Sequence, residues 1–392
     1  MPKLAETKYC TGCTACASAC PKGCITMQAD ANGFLFPTVE ESTCISCGLC
    51  EKACPVIQPS GPAKNAPTAY AAISTEETLR LESSSGGIFS EIAKEILHRG
   101  GTVFGAAYDE HFSVVHICVE SEEDLWKLRG AKYAQSDLRS TFPEIRHRLS
   151  TGQAVLFSGT PCQVAGLKAF LPKAQGDLFT VDFVCHSVPS PMAWQEYVHY
   201  RSLQDHNGLP PQRINLRDKQ TGWSRYSYSN LFVYADGSHH RARSGESLYM
   251  KLFGGGYISR EACENCRFKG CRRVSDLTIG DFWGIWDIVP EMDDNKGTSV
   301  VLVQSERGAT LLEQIAHKLV LKEVTLEQAS QQNPAMIRST ALHENRHQVL
   351  QQIRAGKIAD YEYLCTQKPA APTFLSRVRQ FLGRIKRKLL RK

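Results

Sequence analysis

Residues 10–21 read CTGCTACASACP and residues 44–55 read CISCGLCEKACP. Cys10, Cys13, Cys16, Cys20 and Pro21 thus return 34 positions later as Cys44, Cys47, Cys50, Cys54 and Pro55. Four thiolates that hold a cube of iron and sulfide must converge on its corners. The spacing C-x2-C-x2-C lets one tight loop supply three of them, and the fourth has to come from elsewhere. Structural zinc asks for something different, separated Cys-x2-Cys pairs that close a tetrahedron. The doubled run favours 4Fe–4S clusters over zinc.

A fourth cysteine three residues on, followed by proline, is the signature of bacterial two-cluster ferredoxins, in which that cysteine serves the other cluster. Cys10, Cys13, Cys16 and Cys54 are therefore expected to hold one cluster, and Cys44, Cys47, Cys50 and Cys20 a second. Gly12 and Gly48 suit the close backbone approach of such loops. Cys24 has no counterpart in the second run and reads as a packed spare.

The chain has 392 residues, of which 42% are hydrophobic, 22% are charged and 16 are cysteines. That composition excludes global disorder, and the length allows two or three domains. No apolar run nears the roughly 18 residues of a membrane span, and Met1 to Glu6 has no signal-peptide core. A cytosolic chain is expected, where thiols stay reduced and so many cysteines argue for metal or redox chemistry.

Eight of the 46 basic residues lie between Phe374 and Lys392, where no acidic residue occurs. The remainder, 38 basic against 40 acidic, is close to neutral, so no nucleic-acid partner is expected. Within that tail Phe374, Val378, Phe381, Leu382, Ile385 and Leu389 mark one helical face. Such a basic amphipathic helix either lies on anionic lipid, giving peripheral contact with the inner membrane face, or docks on an acidic partner, or packs on its own domain.

Pro-rich breaks divide the chain. We read residues 1–58 as a two-cluster module, 59–67 as a linker, 68–367 as the body and 374–392 as the tail. The body alternates helix and strand patterns. Ile88, Phe89, Ile92, Ile96 and Leu97 fit a helix face; 102–108, 114–119, 154–157 and 179–184 read as strands. Tyr226 to His240 reads as a hairpin around Asp236-Gly237. The fold class is α+β or mixed α/β, a small ferredoxin module followed by a mixed α/β body and a basic C-terminal helix.

Several body motifs have chemistry and a bland alternative. Ser83-Ser84-Ser85-Gly86-Gly87 runs into the helix at Ile88, either an anion cradle or an N-cap. Arg129 to Tyr133 is either a phosphate and ring contact or a solvated turn. Cys162 follows Gly159-Thr160-Pro161 at a helix start, where a thiol pKa is expected to fall. Cys185, Cys263, Cys266 and Cys271 lie in segments able to meet it, and four of the five would complete a further cluster. The alternative is inert packed cysteines. Asp281 to Trp286 either lines a flat-ring pocket or caps a core.

Taken together, the segments Ser85–Ser90, Gly130–Ser136, Phe157–Gln163, Asp182–His186, Cys263–Cys266 and Asp276–Gly284 resemble the coenzyme F420 hydrogenase/dehydrogenase beta-subunit family. These are iron–sulfur flavoproteins that bind FAD and exchange electrons with a deazaflavin or another acceptor, and a ferredoxin repeat is a frequent fusion among them. The resemblance implies that Cys162, Cys185, Cys263 and Cys266 hold a third 4Fe–4S cluster, with Ser85, Gly86, Gly87, Lys132 and Tyr133 as FAD contacts. Cys271 is outside the pattern. It further implies an FAD-dependent iron–sulfur oxidoreductase that takes electrons from ferredoxin or another redox protein and serves a small-molecule acceptor, with polysaccharide assembly one setting. The alternative is a non-catalytic subunit feeding a partner enzyme. No catalytic side chain is assigned; His186 and Asp281 are candidate proton donors only by adjacency.

Overall fold

The computed structural model describes residues 2–59, 61, 65–171 and 176–366. The basic tail lies outside the described residues, as does part of the linker. Thirteen strands are described: β1 (Ile25–Ala29), β2 (Leu35–Val39), β3 (Thr68–Ser74), β4 (Thr102–Tyr108), β5 (Val114–Val119), β6 (Val155–Gly159), β7 (Leu178–Phe183), β8 (Arg213–Asp218), β9 (Ser229–Val233), β10 (His239–Arg243), β11 (Leu277–Asp281), β12 (Ser299–Val303) and β13 (Leu319–Val324).

Eight of them form one mixed sheet in the order β13-β3-β12-β11-β7-β6-β4-β5. Its centre, β4, β6, β7 and β11, is parallel, and antiparallel strands complete both edges. Alternation along the central strands feeds two cores, as burial on both faces requires. Val103, Leu156, Phe179 and Val181 pack under the helices Ile88–His98 and Glu306–Ile315. Phe104, Val155, Phe157 and Leu178 point the other way, onto the helices Thr141–Ser150 and Pro161–Phe170. The predicted helix face is realised, with Ile88, Ile92 and Ile96 buried and Phe89 and Leu97 packed beside them.

The sheet β10-β9-β8 turns at Gly237 (φ 83°), as the hairpin pattern predicts. It closes a third core with the helix Pro191–His206 around Trp194, Tyr197 and Phe232. The fold is thus mixed α/β with one large mixed sheet. Strands β3, β8, β12 and β13 escape the sequence reading. Ala69, Ala71 and Ala72 give β3 little hydrophobic signal, yet it is paired on both sides.

At the front, β1 and β2 form a hairpin, with two four-residue helices, Ala15–Ser18 and Leu49–Lys52, following the cysteine loops. Ala15 and Ala53 join the core of the helices Thr141–Ser150 and Pro161–Phe170, so the module is docked on the body. No described helix is long and apolar enough to cross a membrane.

Candidate functional site

Two cavities open in the front module. Cys10, Cys13, Cys16 and Cys54 line the first, together with Leu4, Met27, Pro37 and Val56. Cys20, Cys24, Cys44, Cys47 and Cys50 line the second. The fourth cysteine of each run therefore reaches across to the other run's cavity. Burial pushes the Cys13 thiol strongly up. It pushes Cys16 up to about 12, with Cys10 and Cys54 adding to the effect. In the second cavity Cys24 is buried and packed, with its Sγ 3.2 Å from that of Cys20. Burial raises Cys20, but the Cys24 thiol and nearby backbone N–H groups outweigh it and pull its pKa down.

The body thiols also converge. Cys162 sits in the first turn of the helix Pro161–Phe170, where Thr160 and Gln163 form a reciprocal cap. Cys185 follows β7, the parallel neighbour of β6, and so leaves the sheet at the same end. Burial raises Cys162 to about 12, with Cys266 and Cys263 contributing; burial, Cys263, Cys162 and Cys266 likewise hold Cys185 far above its ordinary value. The lowered pKa expected of Cys162 is not realised. Its helix start exists, but burial and neighbouring thiols exceed the help from the Thr160 hydroxyl at 3.1 Å. Four such thiols cannot ionise together in a dry site without bound cations, so iron would enter by displacing protons. Cys271 lies elsewhere, its Sγ 3.7 Å from Met336 Sδ and packed among Trp283 and Trp286.

The front group packs against the helix that holds Cys162. The electrostatic neighbours of Cys13 include Cys162 as well as Cys10 and Cys16. Gly166 makes room for this approach, since a Cβ there would stand 2.8 Å from Cys13 Sγ. Between the two groups lies Arg260, 1% exposed. It donates to the Cys10 carbonyl at 2.7 Å, the Leu35 carbonyl at 3.0 Å and Gln135 Oε1 at 2.7 Å. Its neighbouring charges include Cys10, Cys263 and Cys162, and none of its hydrogen-bond partners is a carboxylate. Nothing in its local sequence singles it out.

The three segments proposed for a flavin also meet, around a residue the sequence reading misses. Arg217 on β8 grips Asp281 with two hydrogen bonds, at 2.7 and 2.9 Å. It also donates to the Ser84 carbonyl at 3.2 Å and reaches Tyr133 Oη at 3.4 Å. Its guanidinium lies over the Tyr228 and Trp283 rings. Several of the predicted contacts are committed internally, however. The Gly86 N–H donates to Ser299 Oγ, the Ser85 hydroxyl donates to the Thr298 carbonyl, and a Cβ on Gly86 would stand 2.4 Å from the Ala72 carbonyl. Sheet packing, not an anion, explains that glycine.

Positive charge is nevertheless in excess here. Lys219 Nζ is held by the carbonyls of Arg80, Ser85 and Lys296, each at 2.7 Å. Lys132 Nζ is held by those of Lys127 and Arg129, at 3.0 and 2.7 Å. Burial lowers both lysines to about 7. Arg80 and Arg217 have carboxylate partners in Asp294 and Asp281, whereas the lysines contact only carbonyl oxygens. Asp281 and Asp294 act on Lys219 only at a distance, and a buried cation with no carboxylate in hydrogen-bond contact is a fit for an anionic group such as a pyrophosphate.

Neither candidate proton donor is well placed to give one up. Asp281 is locked to Arg217 and also accepts from the Trp223 indole at 3.2 Å. His186 is lowered to about 4 by burial and then by Lys269, so it is neutral near pH 7, and its buried Nε2 has no partner.

His343-Glu344-Asn345-Arg346-His347 matches H-E-x-x-H, which binds zinc only when both histidines share a helix face. Here the helix starts at Arg346, and His343, before it, stacks on Tyr257 at 3.9 Å. Among the described residues no three His, Cys, Asp or Glu side chains are grouped to hold one metal ion.

Comparison with known proteins supports the iron–sulfur character of the front module. The family model for a 4Fe-4S dicluster domain matches residues 9–57. Those for the N-terminal and C-terminal parts of the coenzyme F420 hydrogenase/dehydrogenase beta subunit match residues 69–152 and 152–329. No curated protein matches the chain. Among solved structures, a chain of the xenon-derivatised F420-reducing NiFe hydrogenase complex from Methanosarcina barkeri is 16% identical, with 77% of this chain and 91% of that chain covered at a TM-score of 0.46. The chain belongs to the coenzyme F420 hydrogenase/dehydrogenase beta-subunit family, with a 4Fe-4S dicluster domain ahead of the family's two parts.

Proposed function

We propose that the chain is an iron–sulfur oxidoreductase that moves single electrons along three thiol groups in line. The outer group is Cys20, Cys44, Cys47 and Cys50; the inner is Cys10, Cys13, Cys16 and Cys54; the body group is Cys162, Cys185, Cys263 and Cys266. Each would hold one 4Fe–4S cluster. The observation that carries this reading is the packing of Cys13 Sγ against Gly166, in the helix whose first turn holds Cys162, which makes the inner group a bridge between the surface and the body. Electrons from ferredoxin or another redox protein enter at the outer group, where Cys47 is exposed.

FAD is proposed as the next carrier, held by the segment of Arg217 and Lys219 and by that of Lys132 and Tyr133, which Arg217 joins through Tyr133 Oη. When bound, it would exchange single electrons with clusters and an electron pair with a deazaflavin or another organic acceptor. The chain's own residues have simpler tasks. Lys219 and Lys132 neutralise an anionic group, Asp281 fixes Arg217, and Trp283 and Tyr228 shield the guanidinium from water. In the second reading, a relay subunit, the same groups deliver electrons to a partner that holds the acceptor site.

Anaerobic purification tests the proposal. About twelve irons with matching sulfide and one FAD are expected, and Cys263→Ala is expected to lose about four irons while Cys271→Ala loses none. Turnover of an organic acceptor with reduced ferredoxin supports the enzyme; full cofactors without turnover support the relay. Colourless protein holding zinc ends both.

A further inference from the structure

The two cysteine loops are copies of one motif, yet they differ at three positions that line their cavities. Thr11 corresponds to Ile45, Gly12 to Ser46 and Thr14 to Gly48. Thr14 and Gly48 both precede a four-residue helix, and both have positive φ, 62° and 72°. Glycine adopts that conformation freely, but a β-branched residue there is strained. The ordinary reason for threonine before a helix is capping, and Thr14 makes no side-chain cap bond.

What Thr14 does have is an unused hydroxyl. The residue is 4% exposed, and the Oγ1 atoms of both Thr14 and Thr11 are buried without a hydrogen-bond partner. Both residues line the cavity of Cys10, Cys13, Cys16 and Cys54. A buried orphan donor is costly, and a strained backbone at the same residue adds to that cost. Both costs are accounted for if an acceptor arrives with a ligand. Ile45 and Gly48, at the corresponding positions of the outer cavity, have no hydroxyl to offer, and the one hydroxyl side chain lining that cavity, Ser46, is exposed to water and stands where the inner loop has Gly12.

We propose that the hydroxyls of Thr11 and Thr14 donate hydrogen bonds to sulfur of the inner cluster and thereby raise its reduction potential. The proposal rests on the reading that this cavity takes a 4Fe–4S cluster. Such a cluster with four thiolates is already an anion, and reduction adds one electron without making or breaking a bond. Burial disfavours that extra charge, whereas donors to the sulfurs stabilise the reduced form more than the oxidised one. The two threonines offset the dryness of the inner site, a burden the outer site, with Cys47 exposed, does not share.

The test uses the full chain, reconstituted anaerobically, as wild type, Thr14→Gly, Thr11→Val and the double variant. Iron and sulfide are counted, midpoint potentials are followed by EPR, and melting temperature is recorded. The outer signal is identified by its loss in Cys47→Ser. Thr14→Gly reproduces the outer loop's own residue, so its backbone is compatible with the turn. It is expected to keep its iron, shift only the inner potential to more negative values, and melt at a higher temperature because the strain is relieved. Thr11→Val is expected to shift the same signal, and the double variant to shift it further. Full cluster content with an unmoved inner potential overturns the inference, as does loss of the inner cluster from Thr14→Gly. Wild-type protein without iron and sulfide overturns instead the reading beneath it.

Discussion

Arg260 donates to the carbonyl of Cys10 at 2.7 Å, joining two residues 250 positions apart across the boundary between module and body. The same guanidinium holds Leu35 and Gln135 and lies over the Phe36 ring at 4.2 Å. Arg260→Met keeps the bulk of the stem but leaves three buried acceptors without their donor. Each such acceptor costs about 1–3 kcal/mol. A loss of about 3–5 kcal/mol in chemical denaturation is expected, with Arg260→Lys intermediate because one ammonium cannot span the same fork. A loss below about 1 kcal/mol would show that the guanidinium is dispensable to docking.

Gly166 allows a sharper test of the module–body contact. In an ordinary helix interior, glycine to alanine gains about 1 kcal/mol. Here the new Cβ would meet Cys13 Sγ at 2.8 Å and Cys13 Cβ at 3.0 Å. Gly166→Ala is therefore expected to destabilise by about 1–3 kcal/mol, the usual range for overpacking. The inner cluster's EPR signal should be lost or altered while the outer signal persists. A stabilised variant with both signals intact would mean that helix and loop do not approach this closely.

Arg217 and Asp281 bond the flavin candidates into one unit. The arginine side chain is 4% exposed and that of the aspartate 18%. Removing one member strands the other, so Arg217→Met is expected to cost about 3 kcal/mol. Pairing it with Asp281→Leu should recover part of that loss, because no charge is then left without a partner. Flavin content of the single variant separates the two roles: retained FAD at wild-type level places the arginine in the scaffold alone.

The features legible in the sequence are those whose chemistry is local. The crosswise sets Cys10, Cys13, Cys16, Cys54 and Cys20, Cys44, Cys47, Cys50 are written in a spacing that a cluster loop imposes on consecutive residues. The helix from Ile88 shows its period, and the hairpin at Gly237 its turn. Arg217, Lys219 and Arg260 are invisible because each acquires its role only when distant strands and loops converge on it. Gly86 misleads for a related reason. Close packing against Ala72 on a neighbouring strand and close approach to a phosphate both demand a residue without a side chain, and sequence alone cannot separate them. Cys24 is packed as expected, though its nearness to Cys20 depends on the turn between them.

Protonation offers a last prediction, and its sign follows from burial. Lys132 and Lys219 sit near 7 in the folded chain, against 10.5 for an exposed lysine. Above pH 7 the unfolded chain binds protons that the folded chain has released, so the lysines' contribution to stability rises with pH toward 10.5. Measurement is cleanest between about pH 6.5 and 7.5, at least one unit below the pKa of about 8.5 of free thiols in the unfolded chain. An anion bound beside the lysines reverses the preference: their pKa values climb, and protons are taken up with the ligand. FAD affinity should therefore fall as pH rises through this window, by at most about tenfold per unit for each lysine involved. Calorimetry in two buffers of different ionisation enthalpy reads the proton uptake directly. Lys219→Met and Lys132→Met should each flatten the profile, because a side chain without a proton to gain contributes no slope. FAD binding that is tight and independent of pH across the window would place the pyrophosphate away from both residues.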